Sequence, residues 1–160
     1  MYMRRMIHLS MLISLLSFTS LSHAFGLSDI MGSNDQTSAT SELASNPLTQ
    51  MITSQLGVST QQAAGGTGAL LAMAANQLSG GQNQELTKLI PKSESLTGSV
   101  PAGLGGLLNS QSGVNQVFSA LGMNSGMVSQ FVPIILKYLG SQGASSGLLN
   151  SLSSLWTPAK

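Results

Sequence analysis

From Asn46 onward, apolar residues recur three or four places apart, the spacing that lays side chains along one face of an α-helix. Leu48, Met51, Ile52 and Leu56 form the first such stripe. Asn46 is placed to cap it, Pro47 suits the first helical position, and Gly57 supplies a stop. Ser59 and Gln62 then stand three apart, the pattern of a capping box, and open a stretch that runs to about Leu78. Its apolar bulk is Leu70, Leu71, Met73 and Leu78, and Ser79, Gly80 and Gly81 close it. A shorter helix is expected over about 82–90, burying Leu86, Leu89 and Ile90 and halted by Pro91. Glu85 and Lys88, three apart on it, are expected to form a weak exposed pair.

Residues 91–103 carry two prolines among small polar residues and read as a connector between two halves. Beyond it, Leu104, Leu107 and Leu108 suggest one helical turn among glycines. Val114, Val117, Phe118 and Leu121 then make a clear stripe ending at Gly122. Asn124 or Ser125 caps the most apolar segment, 127–139, inside which Pro133 predicts a kink or a fresh start. Gly140 and Gly143 close it. A last amphipathic helix carries Leu148, Leu149, Leu152, Leu155 and Trp156. The halves echo each other at an offset of 65 residues: Ile52, Leu56 and Gly57 correspond to Val117, Leu121 and Gly122. Helix–turn–helix connections also produce such echoes by chance, so a duplication is one of two readings.

The N-terminus has a different pattern. Arg4 and Arg5 precede an apolar run of 13 residues, 9–21, and Ser22-His23-Ala24 places small residues at −3 and −1 of a cut between Ala24 and Phe25. The run is too short to span a bilayer as a helix, so residues 1–24 read as a cleaved secretory signal, not an anchor. The expected location is the periplasm or the exterior. Residues 25–45 are rich in Ser, Thr, Gly and Asn without sustained periodicity, and are expected to form a flexible leader. Phe25, Leu27, Ile30 and Met31 offer it at most a short docking turn.

Removing residues 1–24 changes the chemistry. The whole chain of 160 residues carries a net charge of +1, but its two arginines and both histidines, His8 and His23, lie in the signal. The remaining 136 residues have four lysines, five carboxylates and a net charge of −1. They contain no His, Arg or Cys. Disulfides and thiolate ligands are therefore impossible, and the near-neutral balance argues against a nucleic-acid binder.

The run LGVSTQQAAGGTGALLAMAANQLS (56–79), the Ile90-Pro91 stop and LGMNSGMVSQFVPIILKYLGSQG (121–143) together resemble the VcgC/VcgE-type family, a domain of unknown function found in exported proteins of proteobacteria. The resemblance covers roughly residues 46–156. It implies an all-helical domain and brings no activity, cofactor or catalytic residue.

The residues themselves argue against an enzyme. Without His, neither a Ser-His-Asp nor a Cys-His arrangement can be assembled. Ser93 and Ser95 follow Lys92 in the connector, and Lys137 among large apolar neighbours reads as a snorkelling side chain, so Ser-Lys catalysis finds no helix face. Of the carboxylates, Asp29, Asp35 and Glu42 lie in the expected leader, and no D-x-D-x-D-G loop offers a calcium site. Gly65-Gly66-Thr67-Gly68 is no phosphate loop, since no Lys-Ser/Thr follows it. Gly68 instead belongs to a row spaced by four, Ala64, Gly68 and Ala72, that lets another helix approach closely. Close packing within the domain and a self-association or membrane-inserting face are both compatible with that row. Met31, Met51, Met73, Met123 and Met127 fit core filling, with an adaptable surface or thioether copper site as the alternative.

These features define the expectation. The fold class is all-α, a compact orthogonal bundle of five or six short helices over residues 46–157. No catalytic, cofactor or metal residue is assigned. The function expected is a non-enzymatic periplasmic or secreted interaction module, with a protein partner or a second copy of the chain bound through a helical apolar surface. Near-zero charge favours such association. The alternative is a carrier for a lipid or other apolar small molecule between helices, its candidate pocket formed by Leu70, Phe118, Phe131 and Ile135. A membrane-active protein is the third reading. No nucleic-acid partner and no membrane span after residue 24 are expected.

Overall fold

The computed structural model describes residues 34–157. Among them are eight α-helices, a short 3-10 turn and no strand: α1 (Asn34–Ser45), α2 (Pro47–Leu56), α3 (Thr60–Gln77), α4 (Gly80–Leu89), α5 (Ser93–Thr97), the 3-10 turn (Gly105–Leu107), α6 (Gln111–Ala120), α7 (Gly126–Ser141) and α8 (Ser146–Trp156). The fold is all-α, as the periodicity implies. The Ala24–Phe25 cut and the proposed docking turn lie outside the described residues.

Several helix ends form where local chemistry dictates. The Asn46 side chain accepts from the Leu48 and Thr49 amides at 3.0 and 3.4 Å, with Pro47 in the first turn of α2. Gly57, at φ 66°, takes the left-handed conformation that ends this helix. At α3 the capping box is complete: Ser59 Oγ accepts from the Gln62 amide, and Gln62 Oε1 accepts from the Ser59 amide. Gly122, at φ 74°, follows α6 much as Gly57 follows α2. Pro133 lies inside a continuous α7 and is exposed, so its missing N–H falls on the solvent side.

α3 is the centre of the described helices. Every residue from Ala63 to Leu71 is buried, as are Met73 and Ala74. α1, α2, α5, α6, α7 and α8 all pack against it. A helix enclosed on all sides has no polar stripe, and its Ala and Gly content makes room for neighbours. α7 packs on α2, α6 and α8, and α4 meets α8.

Two stretches differ from the sequence expectation. Part of the expected leader, residues 34–45, is the helix α1. Its anchor is tertiary: Leu43 is buried in the core, and Glu42 pairs with Lys92 at 2.7 Å. A single buried leucine leaves no stripe for periodicity to detect. The connector 91–103 likewise contains α5, five residues held by the fully buried Leu96. Lys92 enters α5 at φ 55°, the only described non-glycine residue with positive φ.

Smaller shifts have equally local causes. α4 begins at Gly80, so both glycines expected to precede it are helical. Glu85 does not pair with Lys88. Its carboxylate accepts from the Ser145 amide at 2.6 Å and from Ser145 Oγ at 2.9 Å, fastening α4 to the start of α8.

Candidate functional site

The small-residue row on α3 is spent inside the molecule. Ala64 is fully buried, and Gly68 lies so close to α5 that a Cβ there would fall on the Leu96 carbonyl oxygen. Ala72, at the end of the row, is partly buried against the core. The neighbouring glycines serve other neighbours: a Cβ at Gly65 would lie 2.7 Å from the Leu121 side chain, and one at Gly66 would lie 2.8 Å from the Phe131 ring. Three glycines within four positions thus admit α5, the α6–α7 turn and the α7 aromatic ring. The Gly68 part of this face is covered by α5 of the same chain.

Leu70, Phe118, Phe131 and Ile135 are all buried, none more than 1% exposed. Phe118 and Phe131 meet edge to face, their ring centroids 5.0 Å apart, the arrangement favoured by aromatic quadrupoles. The closeness of both rings and the Met123 methyl to Gly66 marks tight packing here. The described clefts are lined by none of these four residues.

The remaining polar chemistry is chiefly structural. Trp156, almost fully buried, donates from Nε1 to the Leu70 carbonyl at 3.1 Å, and Gln111 Nε2 donates to the Trp156 carbonyl at 2.9 Å. Asn46 Nδ2 donates to the Pro91 carbonyl, and Gln62 Nε2 donates to the Leu121 carbonyl. Side-chain amides thereby join elements remote in sequence, a use of Gln and Asn that carries no motif and that periodicity cannot reveal. The hydroxyls of Thr49 and Thr67 are buried without a hydrogen-bond partner. Burial raises the Tyr138 pKa above its ordinary 10.0, because ionisation would place charge in an apolar environment.

Among the described residues no group of three or more His, Cys, Asp or Glu side chains could hold a metal. No described helix is long and apolar enough to cross a membrane. Met73 and Met123 are core residues, and Met51 and Met127 pack partly buried against that core; Met31 lies outside the described residues. Lys137 is exposed beside buried Tyr138 on α7, consistent with a snorkelling stem.

Partly covered apolar residues are spread over several elements; among the described residues the most exposed large one is Leu107 of the 3-10 turn, at 41%, and α7 carries three others, Met127, Val132 and Leu136. Val132 and Leu136, one turn apart, are only partly buried, and exposed Pro133 adjoins them. One turn further, Gly140 is exposed, and its absent Cβ would lie 3.9 Å from the Leu149 side chain of α8. Val132 and Leu136 on α7 and Leu149 on α8 are thus partly buried apolar residues of two helices that pack together.

Among curated proteins and among solved structures, nothing significantly matches the chain. A family model described as protein of unknown function VcgC/VcgE matches residues 12–153, starting earlier than the 46–156 resemblance read from the motifs. On that match, which takes in nearly the whole chain, the protein belongs to the VcgC/VcgE family of unknown function.

Proposed function

We propose that this chain is an exported, non-enzymatic interaction module that binds a second copy of itself or another protein through the partly buried apolar residues of α7 and α8. The observation that carries this reading is the pair of partly buried residues Val132 and Leu136, one turn apart on α7, the helix that packs on α8 and its partly buried Leu149. Partly exposed apolar side chains gain from further burial, and the near-neutral charge opposes association little. The packed surroundings of Leu70, Phe118, Phe131 and Ile135 favour this reading over a carrier with its cavity at those residues. The absence of His, Arg and Cys after residue 24 supports a role without acid–base or thiol chemistry. Export rests on the basic start, the 13-residue apolar run and the Ser-His-Ala site.

Native mass spectrometry of protein recovered from the periplasm or medium tests both parts. The expected species begins at Phe25 and is a multimer or a complex, and Leu136→Ser shifts it towards monomer while leaving the circular dichroism unchanged. A bare monomer that is indifferent to Leu136→Ser overturns the contact surface. A chain retaining residues 1–24 overturns cleavage.

A further inference from the structure

A cleft of about 200 Å³ opens between α3, α4 and α5, away from the α7–α8 contact surface. Its floor is apolar: Leu71 and Leu86 are nearly fully buried, and exposed Ala75, in the last turns of α3, borders them. The volume is somewhat above the roughly 150 Å³ that holds a benzene molecule in a protein interior. The polar rim is unequal in what it offers. Thr87 and Thr97 have already donated their hydroxyls to the Asn83 and Glu94 carbonyls, and Asn83 Nδ2 has donated to the Ala75 carbonyl. The side chains still open are the Glu94 carboxylate, the Asn83 amide oxygen and the Ser93 hydroxyl.

No cation lines this cleft. Lys92 is the nearest lysine in sequence to Glu94, but its ammonium lies 2.7 Å from Glu42. Lys88 lines a neighbouring depression across α4. Exposed Glu94 brings the one charge, and the Asn83 amide oxygen and the Ser93 hydroxyl, which can also donate, add acceptors above the apolar floor. The complementary ligand is a cation with several N–H donors and a compact apolar body.

We infer that the cleft between α3, α4 and α5 binds a small primary ammonium of about benzylammonium size. The ammonium meets Glu94, with Asn83 and Ser93 accepting its other protons, and the hydrocarbon part covers Leu71, Ala75 and Leu86. A free small amine fits better than a lysine side chain, whose slender unbranched stem would leave part of the floor open. This site does not depend on the α7–α8 contact surface, and either can fail without the other.

The test is a titration of the exported protein with benzylammonium, followed by backbone amide NMR, with benzyl alcohol and benzoate as isosteric controls. Saturable shifts are expected at Leu71, Leu86, Glu94 and Thr97, with both controls at least about tenfold weaker. Glu94→Gln should weaken benzylammonium by about tenfold and leave benzyl alcohol unchanged. Ala75→Leu, which fills the cleft from an exposed position, should abolish the shifts. Equal binding of benzoate, an unaltered Glu94→Gln variant, or no saturable shift at millimolar benzylammonium would each overturn the inference. Tighter binding of Nα-acetyl-lysine amide, which keeps its ε-ammonium, would overturn the free-amine assignment and give the cleft to a partner's lysine.

Discussion

At the residue scale, the glycines of α3 and α4 have opposite consequences. Gly68 lies against the α5 backbone, where neither the Leu96 carbonyl nor the helix carrying it can yield cheaply. Gly68→Ala is expected to destabilise the protein by about 1–3 kcal/mol or more, with most of the loss in the α3–α5 contact. Gly81, in the first turn of α4, has nothing within 4 Å of its missing Cβ. Gly81→Ala should therefore stabilise by about 0.5–1 kcal/mol through helix propensity alone. Urea denaturation of the two variants checks both signs. Tyr138 supplies a pH dependence. Its folded-state pKa is raised above 10.0, so the native state keeps a proton that the unfolded chain releases. That contribution is intact below about pH 10 and is lost as pH rises towards the folded value. Tyr138→Phe should flatten the fall in melting temperature above that pH, and an unchanged alkaline slope would rule the tyrosine out as its cause.

At the element scale, α2, α3, α6 and α8 were legible because their signals are local. Each starts at a side-chain cap, α2, α6 and α8 add an apolar stripe, and α2 and α6 are followed by a glycine in the left-handed region. α1 and α5 were not legible, since each depends on one buried leucine and a surface that other helices provide. α1 offers a direct comparison of two anchors. The Glu42–Lys92 pair is exposed on both sides, 48% and 56%, so Glu42→Gln should change stability by less than about 1 kcal/mol. Leu43 is buried, and Leu43→Ala should cost about 2 kcal/mol or more. Hydrogen exchange should show α1 amides losing protection in Leu43→Ala and keeping it in Glu42→Gln. The reverse order would make α1 an electrostatically held element.

At the scale of the whole molecule, the chain has one tryptophan, and the fold places it where remote elements meet. Trp156 at the end of α8 reaches the Leu70 carbonyl on α3, while Gln111 at the start of α6 reaches the Trp156 carbonyl. Its fluorescence should consequently report global unfolding, coincident with loss of helical circular dichroism in a single transition. Trp156→Phe removes the donor and part of a fully buried ring, and should cost about 1–3 kcal/mol. Separate fluorescence and dichroism midpoints in the unsubstituted protein would reveal α8 opening by itself.

The candidate sites divide in the same way. Sequence placed Leu70, Phe118, Phe131 and Ile135 together as large apolar residues, but packing decides whether such residues enclose a space or fill it. The Ala64, Gly68 and Ala72 row announced a close approach, yet only the folded chain identifies α5 as what approaches Gly68. The Glu94 cleft had no sequence signal, because its floor comes from α3 and α4 and its charged rim from α5. What the sequence by itself determined was the helical class, several caps and stops, and an inventory without His, Arg or Cys after residue 24. These follow from local backbone chemistry and from composition, which no fold can alter. The tertiary structure alone decided that α3 is enclosed, that α1 and α5 exist, and that Glu85 serves Ser145 in place of Lys88. Each of those outcomes depends on surfaces brought together from distant parts of the chain, and sequence spacing carries no record of them.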